Sequence, residues 1–352
     1  MTSLELLLAG VLMVSLNLYA LGAGADFGGG VWDMLASGPR QRAQRDTIVH
    51  AIGPIWEANH VWLILVIVVL FVAFPVAFAA LGTALHVPLT VMLVGIVLRG
   101  SAFAFRSYGG DDDVTQRRWG RIFAMASVVT PVMLGVCAGA VASGAIPVRD
   151  GRVVTDFVSA WLAPFPFAIG LFALALFAFL AAVYLTLETD DPALRDDFRE
   201  RALFAAVIVG VMALVSFLLS DTGAPSIRQG LAREWWSLPF QVVTGLVAVG
   251  AIVALRGRRF ALARGLAMAQ VTLILWGWGL AQFPVLIEPD LTFESAAAPD
   301  TVLRALVIAL AAGAVLLGPA LASLFRVFKR TSSGSIAPRR RPGTSRAGPR
   351  QS

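Results

Sequence analysis

The residues Gly53-Pro54-Ile55-Trp56-Glu57-Ala58-Asn59-His60-Val61-Trp62 lead directly into an apolar run over residues 63–74. Proline is favoured at the first position of a helix, where its missing N–H costs no hydrogen bond, so the polar cluster is predicted to lie inside a helix. An ionisable side chain at membrane depth is costly unless it is paired or solvated, and Glu57 therefore indicates a functional site. The alternative is that Glu57 reaches the membrane surface beside an aromatic belt of Trp56 and Trp62.

The composition indicates an integral membrane protein. Hydrophobic residues make up 58% of the chain and charged residues only 14%, which is more apolar surface than one soluble core can bury. Continuous apolar runs predict helices, since a membrane barrel would alternate apolar and polar positions. We therefore predict an all-α polytopic protein with about nine transmembrane helices. Their predicted limits are 4–25, 54–74, 76–98, 122–143, 161–187, 202–220, 238–255, 266–287 and 304–326.

The arginines and lysines predict the orientation of these helices. When the loops are assigned alternately to the two sides, one side carries 23 of the 28 cations and the other carries 5. Positive charge concentrates on the cytoplasmic side, which places the N-terminus outside and the C-terminus in the cytoplasm. The net charge of +6 thus reflects membrane topology, and we expect no nucleic-acid partner. Residues 1–330 are predicted to form the membrane domain, and residues 331–352 a disordered basic tail near anionic lipid.

A second carboxylate, Asp26, follows the first apolar run and precedes the glycines Gly28-Gly29-Gly30. We expect these glycines to form a turn at the end of the first helix, which would place Asp26 beside the start of the second. Two buried carboxylates at one depth can share a proton, so Asp26 and Glu57 suggest a proton relay. The alternative is a pair of interfacial acids that nearby arginines balance.

Two further features point to ligands or partners. Arg99 and Arg106 lie seven residues apart, on one helix face, and are candidates for a lipid or partner contact, a structural role, or simply the topology signal. Trp276-Gly277-Trp278-Gly279 combines indoles with small residues, which could leave room for a quinone or a lipid, although core packing is the simpler interpretation.

Several motifs resemble subunit II of the cytochrome bd-type quinol oxidases. They are Asp26-Phe27-Gly28-x-Gly30, Gly53-Pro54-x-Trp56-Glu57-x-Asn59-x-Val61-Trp62-Leu63, Arg99-x4-Ala104-Phe105-Arg106-Ser107 and Phe283-Pro284 with Pro289-x-Leu291-Thr292. The resemblance implies two four-helix bundles plus a peripheral helix, in a multi-pass protein of the bacterial plasma membrane. It also implies a partner subunit I that holds haem b and haem d and oxidises quinol, and it leaves room for a small extra subunit.

The resemblance further implies roles for individual residues. The family's subunit II ligates no haem, stabilises the complex, and contributes a proton path and an oxygen route. Glu57 and Asp26 match acids of the proton path, and Asn59 and His60 lie beside them. Trp62 matches a tryptophan beside the oxygen route, and Trp56 lies in the same motif.

Three positions depart from the family's pattern. Ala23 stands where the first acid of the turn is expected, Glu57 stands where an aspartate is usual, and His60 stands where a neutral polar residue is expected. These departures imply a path with one fewer carboxylate and indicate a divergent branch of the family.

Two other functions are compatible with the composition. A proton-coupled transporter could use Asp26, Glu57 and His60, but the chain lacks paired Gly/Pro-broken spans in matching halves. A self-sufficient cytochrome b would need two histidines at matched depth, whereas His50, His60 and His86 are predicted at different depths.

Overall fold

A computed structural model of the chain describes residues 1–52, 56–108, 113–149, 151–156 and 158–332, and confirms the all-α class. The helices are α1 (Ser3–Met34), α2 (Gln41–Ile52), α3 (Trp56–Ala73), α4 (Pro75–Ala84), α5 (His86–Tyr108), α6 (Asp113–Ala142), α7 (Pro164–Leu185), α8 (Pro192–Gly223), α9 (Pro225–Arg233), α10 (Ser237–Arg256), α11 (Phe260–Gln282), α12 (Phe293–Ala296) and α13 (Asp300–Ser332). Two antiparallel hairpins pair β1 (Val148–Arg149) with β2 (Arg152–Val153) and β3 (Val285–Ile287) with β4 (Leu291–Thr292).

The number of membrane helices agrees with the prediction. Eight of the described helices are long and apolar enough to cross a membrane, and the count is nine if the bent pair α3 and α4 is one span. The elements that differ most from expectation are the end of α1, the region between α3 and α5, and the residues after α11.

Helix α1 continues to Met34, well past its predicted end at residue 25. The predicted turn at the glycines is therefore wrong, and Gly28 and Gly30 are buried inside the helix. A Cβ on Gly28 would meet the carbonyl oxygen of Phe177, and a Cβ on Gly30 would meet the hydroxyl of Ser127. The glycines thus allow α7 and α6 to approach α1 closely, which is the usual role of small residues between membrane helices.

The predicted hairpin at Phe74-Pro75 is also corrected. The chain bends by 117° at Phe74 into the short helix α4, and the third long helix starts only at His86 rather than at residue 76. Pro75 prevents α3 from continuing, because proline has no N–H and clashes with the preceding turn. Pro88 lies in the first turn of α5, a position that tolerates the missing N–H, and so marks the restart.

Residues 283–287 were predicted to belong to the eighth span but lie outside it. Helix α11 ends at Gln282, and residues 285–287 form strand β3. Pro284 and Pro289 flank this strand, and proline in a helix interior would remove a backbone hydrogen bond.

The chain divides into two units, residues 1–307 and 308–352. The main core of the first unit consists largely of buried apolar side chains from α1, α7, α8, α10 and α11. Ile48 and Ile52 of α2, Ala102 of α5 and Phe123 of α6 also belong to it. In the second unit the described residues continue the last helix, and its side chains at Ile308, Val315 and Leu316 are exposed. All but the first two residues of the predicted disordered tail, 331–352, lie outside the described residues.

Candidate functional site

The centre of the site is a hydrogen bond between α1 and α3. The side-chain amide of Asn59 donates to Oδ2 of Asp26 across 2.6 Å. Asp26 is only 2% exposed, so its carboxyl group has no ready access to bulk water. The predicted proximity of Asp26 to the start of the second span is found, although the helix itself, and not a turn, brings the two together.

Gly22 makes this contact possible. A Cβ at position 22 would lie 2.5 Å from Oδ1 of Asn59, so only glycine leaves room for the amide one turn before Asp26. Because residue 22 of α1 has no side chain, the amide of Asn59 on α3 can approach Asp26.

A buried arginine from α5 completes the inner part of the site. Nη2 of Arg99 donates to the backbone carbonyl of Asp26 across 2.8 Å, and Nε donates to the hydroxyl of Ser127 across 3.2 Å. Its guanidinium also lies 4.8 Å from the ring centroid of Phe27 and 5.1 Å from that of Phe123, within cation–π distance. Of the roles considered for Arg99, these contacts favour a structural one inside this chain.

A second acid–arginine pair lies farther along α1. Asp33 is 4% exposed, and Nη1 of Arg106 lies 3.0 Å from its Oδ2. Arg45 of α2 donates from Nε to the backbone carbonyl of Asp33 across 3.3 Å. Arg106 is therefore bound within the chain as well, and it joins the ends of α1 and α5 beside α2.

The Arg99 contact with Asp26 and the Arg106 contact with Asp33 link α5 to α1 at two successive levels, like two rungs of a ladder. Asp26 and Asp33 are seven residues apart on α1, as Arg99 and Arg106 are on α5, and seven residues make nearly two helical turns. The ring of Phe123 lies between them, 5.1 Å from the Arg99 guanidinium and 5.5 Å from that of Arg106. We call this arrangement the two-rung cluster. Sequence reasoning missed Asp33. Its spacing from Asp26 equals that of the two arginines, but this match becomes informative only once α1 is known to face α5.

His60 is half-buried on α3, beside the inner rung. Its imidazole stacks on Phe27 with ring centroids 6.3 Å apart and meets the edge of Tyr19 at 6.1 Å. The imidazole thus lies among aromatic rings near Asp26 and Arg99.

The remaining predicted residues are placed only in part. The side chains of Glu57 and Trp56 lie outside the described residues, so the expected pairing of Glu57 with Asp26 stays a prediction. Trp62 is half-buried and packs against the main core cluster.

The described residues contain no group of three or more His, Cys, Asp or Glu side chains that could hold a metal ion. His50 is exposed on α2, and His86 is exposed at the start of α5, where its Nδ1 lies 3.1 Å from the carbonyl oxygen of Thr83.

The Trp-Gly stretch of α11 lines a cavity. Trp278 and Gly277 border a space of about 510 Å³ between α1, α6, α7, α8 and α10. Nearly all lining side chains are apolar, with Ser216, Gln241 and Thr244 among the polar exceptions. A cavity of this size and lining suits a largely apolar ligand.

A family model described as cytochrome bd terminal oxidase subunit II matches residues 4–328. The chain belongs to the cytochrome bd terminal oxidase subunit II family. This confirms the resemblance read from the motifs.

Relatives of the family agree along most of the chain. A putative cytochrome bd menaquinol oxidase subunit II of Bacillus subtilis is 24% identical over 324 residues, covering 89% of this chain and 92% of its own. The cytochrome bd ubiquinol oxidase subunit 2 of the same organism is 25% identical over 294 residues, covering 81% and 84%. The cytochrome bd-I ubiquinol oxidase subunit 2 of Escherichia coli is 25% identical over 222 residues, covering 61% and 54%.

The fold agrees with a solved member. A chain of the bd oxidase from Geobacillus thermodenitrificans superposes with a TM-score of 0.78 at 24% identity, covering 93% of this chain and 99% of that one. This chain is thus a multi-pass bacterial membrane protein and a subunit of a cytochrome bd terminal oxidase, an oxidoreductase. Family membership favours the oxidase hypothesis over the transporter.

Proposed function

We propose that this chain is the accessory subunit of a bd-type quinol oxidase that reduces dioxygen to water, and that it stabilises the subunit that bears haem b and haem d. Within that role, Glu57 and Asp26 form a proton path from the cytoplasm, with Asn59 and His60 beside them. The observation that carries the proposal is the buried carboxyl group of Asp26, bonded to Asn59 and next to the cation of Arg99. A buried, protonatable group held in this way is suited to accept and release a proton.

The direction of the path follows from the charge distribution. With 23 of 28 cations on one side of the predicted topology, the loops after α1 and α5 face the cytoplasm. The end of α1 that carries Asp33 is then the cytoplasmic end, and protons consumed in oxygen reduction enter there. Haem, by this proposal, is ligated only by the partner subunit.

The test is the oxygen consumption of the purified complex as a function of pH. Asp26→Asn and Glu57→Gln should each lower quinol-dependent turnover at least tenfold while the haem spectrum stays normal. Asp46→Asn, an exposed acid on α2, is the matched control and should leave turnover unchanged. Normal turnover in both acid variants across the pH range would refute the proton path.

We also propose that dioxygen passes Trp62 on its way to the haem-bearing subunit, with Trp56 nearby. The half-buried position of Trp62 against the core supports this assignment. Trp62→Ala should change the apparent oxygen affinity, whereas Ile64→Ala, an exposed position on the same helix, should not. Equal affinities in both variants would leave Trp62 a packing residue.

The cavity beside Trp278 supports a further part of the proposal, namely that a membrane quinone or lipid occupies it. Extraction of the purified complex with organic solvent and mass spectrometry should recover such a molecule, and Ala138→Phe, which fills the cavity, should reduce its amount. If Ala138→Phe yields as much of the quinone or lipid as the unaltered complex, the molecule binds outside this cavity.

A further inference from the structure

Arg99 is a cation enclosed by the protein. It is 2% exposed and is the largest fully buried side chain among the described residues. An isolated charge in such surroundings is strongly unfavourable, so its contacts must replace water. The guanidinium makes two hydrogen bonds and faces two aromatic rings.

The contacts of Arg99 converge on one residue of the proposed proton path. Nη2 donates to the peptide carbonyl of Asp26, which places the positive charge of the guanidinium beside this residue. The carboxyl group of Asp26 accepts a hydrogen bond from the side-chain amide of Asn59. Backbone and side chain of Asp26 are thus fixed from different helices, with a permanent positive charge alongside.

We propose that Arg99 is the positioning residue of this site: it fixes α1 at Asp26 and supplies the buried counter-charge that allows the carboxyl group to ionise. The inference rests on the proposed proton path and goes beyond it by assigning a residue that controls when Asp26 releases its proton. Without a nearby cation, a buried carboxyl group would remain neutral and could accept no proton.

Other titratable groups lie in the same region, and their contributions to the pH dependence must be distinguished from that of Arg99. They are Tyr19 and Asp33 on α1, Arg45 on α2, His60 on α3 and Arg106 on α5. On α6 the groups that meet Arg99 are the uncharged Ser127 and Phe123. Arg106 offers the best comparison, since it has the same chemistry and the same helix but pairs with Asp33.

The experiment is the pH profile of quinol-dependent oxygen consumption by the purified complex. Arg99→Gln should move the midpoint to higher pH by about one unit or more, because a carboxylate that loses a nearby cation holds its proton more tightly. Arg99→Lys, which keeps the positive charge, should leave the midpoint close to that of the unaltered complex. Arg106→Gln should lower thermal stability without moving the midpoint, and the exposed Arg118→Gln should change neither.

An unmoved midpoint in Arg99→Gln, or an equal shift in Arg106→Gln, would overturn the inference. If Arg99→Gln does not assemble, the double variant with Asp26→Asn decides, because it also removes the buried carboxyl group that Arg99→Gln leaves without a nearby cation. Recovery of haem-containing complex in the double variant supports the pairing, and failure to recover it shows that Arg99 acts on packing alone.

Failure of the proton path is recognised separately. An unchanged pH profile in Asp26→Asn alone would refute the path, and with it the control of proton release. The pairing of the two residues would then be judged by heat-induced haem release. Destabilisation by the double variant that is smaller than the sum of the single variants shows that Arg99 and Asp26 interact.

Discussion

Asn59 reaches Asp26 across 2.6 Å only because residue 22 has no side chain. The donor belongs to α3, whereas the acceptor and the space for the contact both belong to α1. The chemistry of the carboxyl group therefore depends on a glycine that touches no substrate and carries no charge.

Gly22→Ala should impair activity more than folding. The added Cβ lies 2.5 Å from Oδ1 of Asn59 and would push the amide away from the Asp26 carboxyl group. We expect turnover to fall severalfold with haem content near normal. Gly10→Ala is the matched control, because no atom lies within 4 Å of a Cβ at that position of the same helix. Equal activity in the two variants would contradict the role assigned to Gly22.

Gly95→Ala should destabilise the complex, and Thr130→Ala should rescue it. A Cβ on Gly95 would collide with the Thr130 hydroxyl, while the next nearest atom, Cβ of Thr130, lies at an ordinary 3.5 Å. Overpacking of this kind costs about 1–3 kcal/mol. Thermal unfolding followed by haem release should show a lower midpoint for the single variant and recovery in the double variant. Since Gly95 lies one turn before Arg99, we expect the same collision to move α5 away from α6 and so to lengthen the hydrogen bond between Arg99 and Ser127.

Asp33→Asn should weaken the outer rung of the two-rung cluster. Arg106 would lose a charged partner at 3.0 Å while remaining largely buried, which costs about 2 kcal/mol by the usual value for charged hydrogen bonds. The thermal midpoint of the complex should fall, and Asp46→Asn on the exposed side of α2 should leave it unchanged. Similar thermal midpoints for Asp33→Asn and Asp46→Asn would show that the Asp33–Arg106 contact does not stabilise the complex.

Glu288 provides a pH-dependent contact in the hairpin between α11 and α13. It is 7% exposed, its backbone N–H donates to the carbonyl of Val141, and its carboxyl accepts from the hydroxyl of Ser226 at 3.2 Å. Burial raises the pKa of the Glu288 carboxyl group above its ordinary value. The folded protein thus binds this proton more tightly than the unfolded chain does, so stability falls as the pH rises through that interval.

Glu288→Gln removes this titration. The variant should be more heat-stable than the unaltered complex at about pH 7, and the difference should vanish at about pH 3, where the carboxyl is protonated in both states. The exposed Glu234→Gln should show no such pH-dependent difference. A constant difference between Glu288→Gln and the unaltered complex at both pH values would contradict the prediction.

The membrane fold could be predicted from the sequence because apolar length is a local property. Runs of about twenty apolar residues predicted the number of helices. The meeting of Asp26 with the second span was also predicted, but from a turn at the glycines that the structure does not contain. The glycines after Asp26 misled because the same residue type serves both turns and close helix packing. Which use applies depends on Phe177 and Ser127, far away in the chain.

The two-rung cluster could not be predicted for a related reason. A spacing of seven on α1 is informative only once α1 is known to face α5, and the buried position of Arg99 depends on residues of α1 and α6. Residue types indicated that Arg99 and Arg106 were unusual, but they did not distinguish a lipid contact from an internal one. Asp33 was missed because the motif ends before it.

The glycines of α1 also predict how sequences in this family can diverge. Gly22, Gly24, Gly28 and Gly30 face different partners, namely Asn59, the Phe177 ring, the Phe177 carbonyl and Ser127. A larger residue at any of them demands a change at a distant position on α3, α6 or α7. Alignments of the family should therefore show that substitutions at these glycines covary with substitutions at contacting positions on α3, α6 or α7.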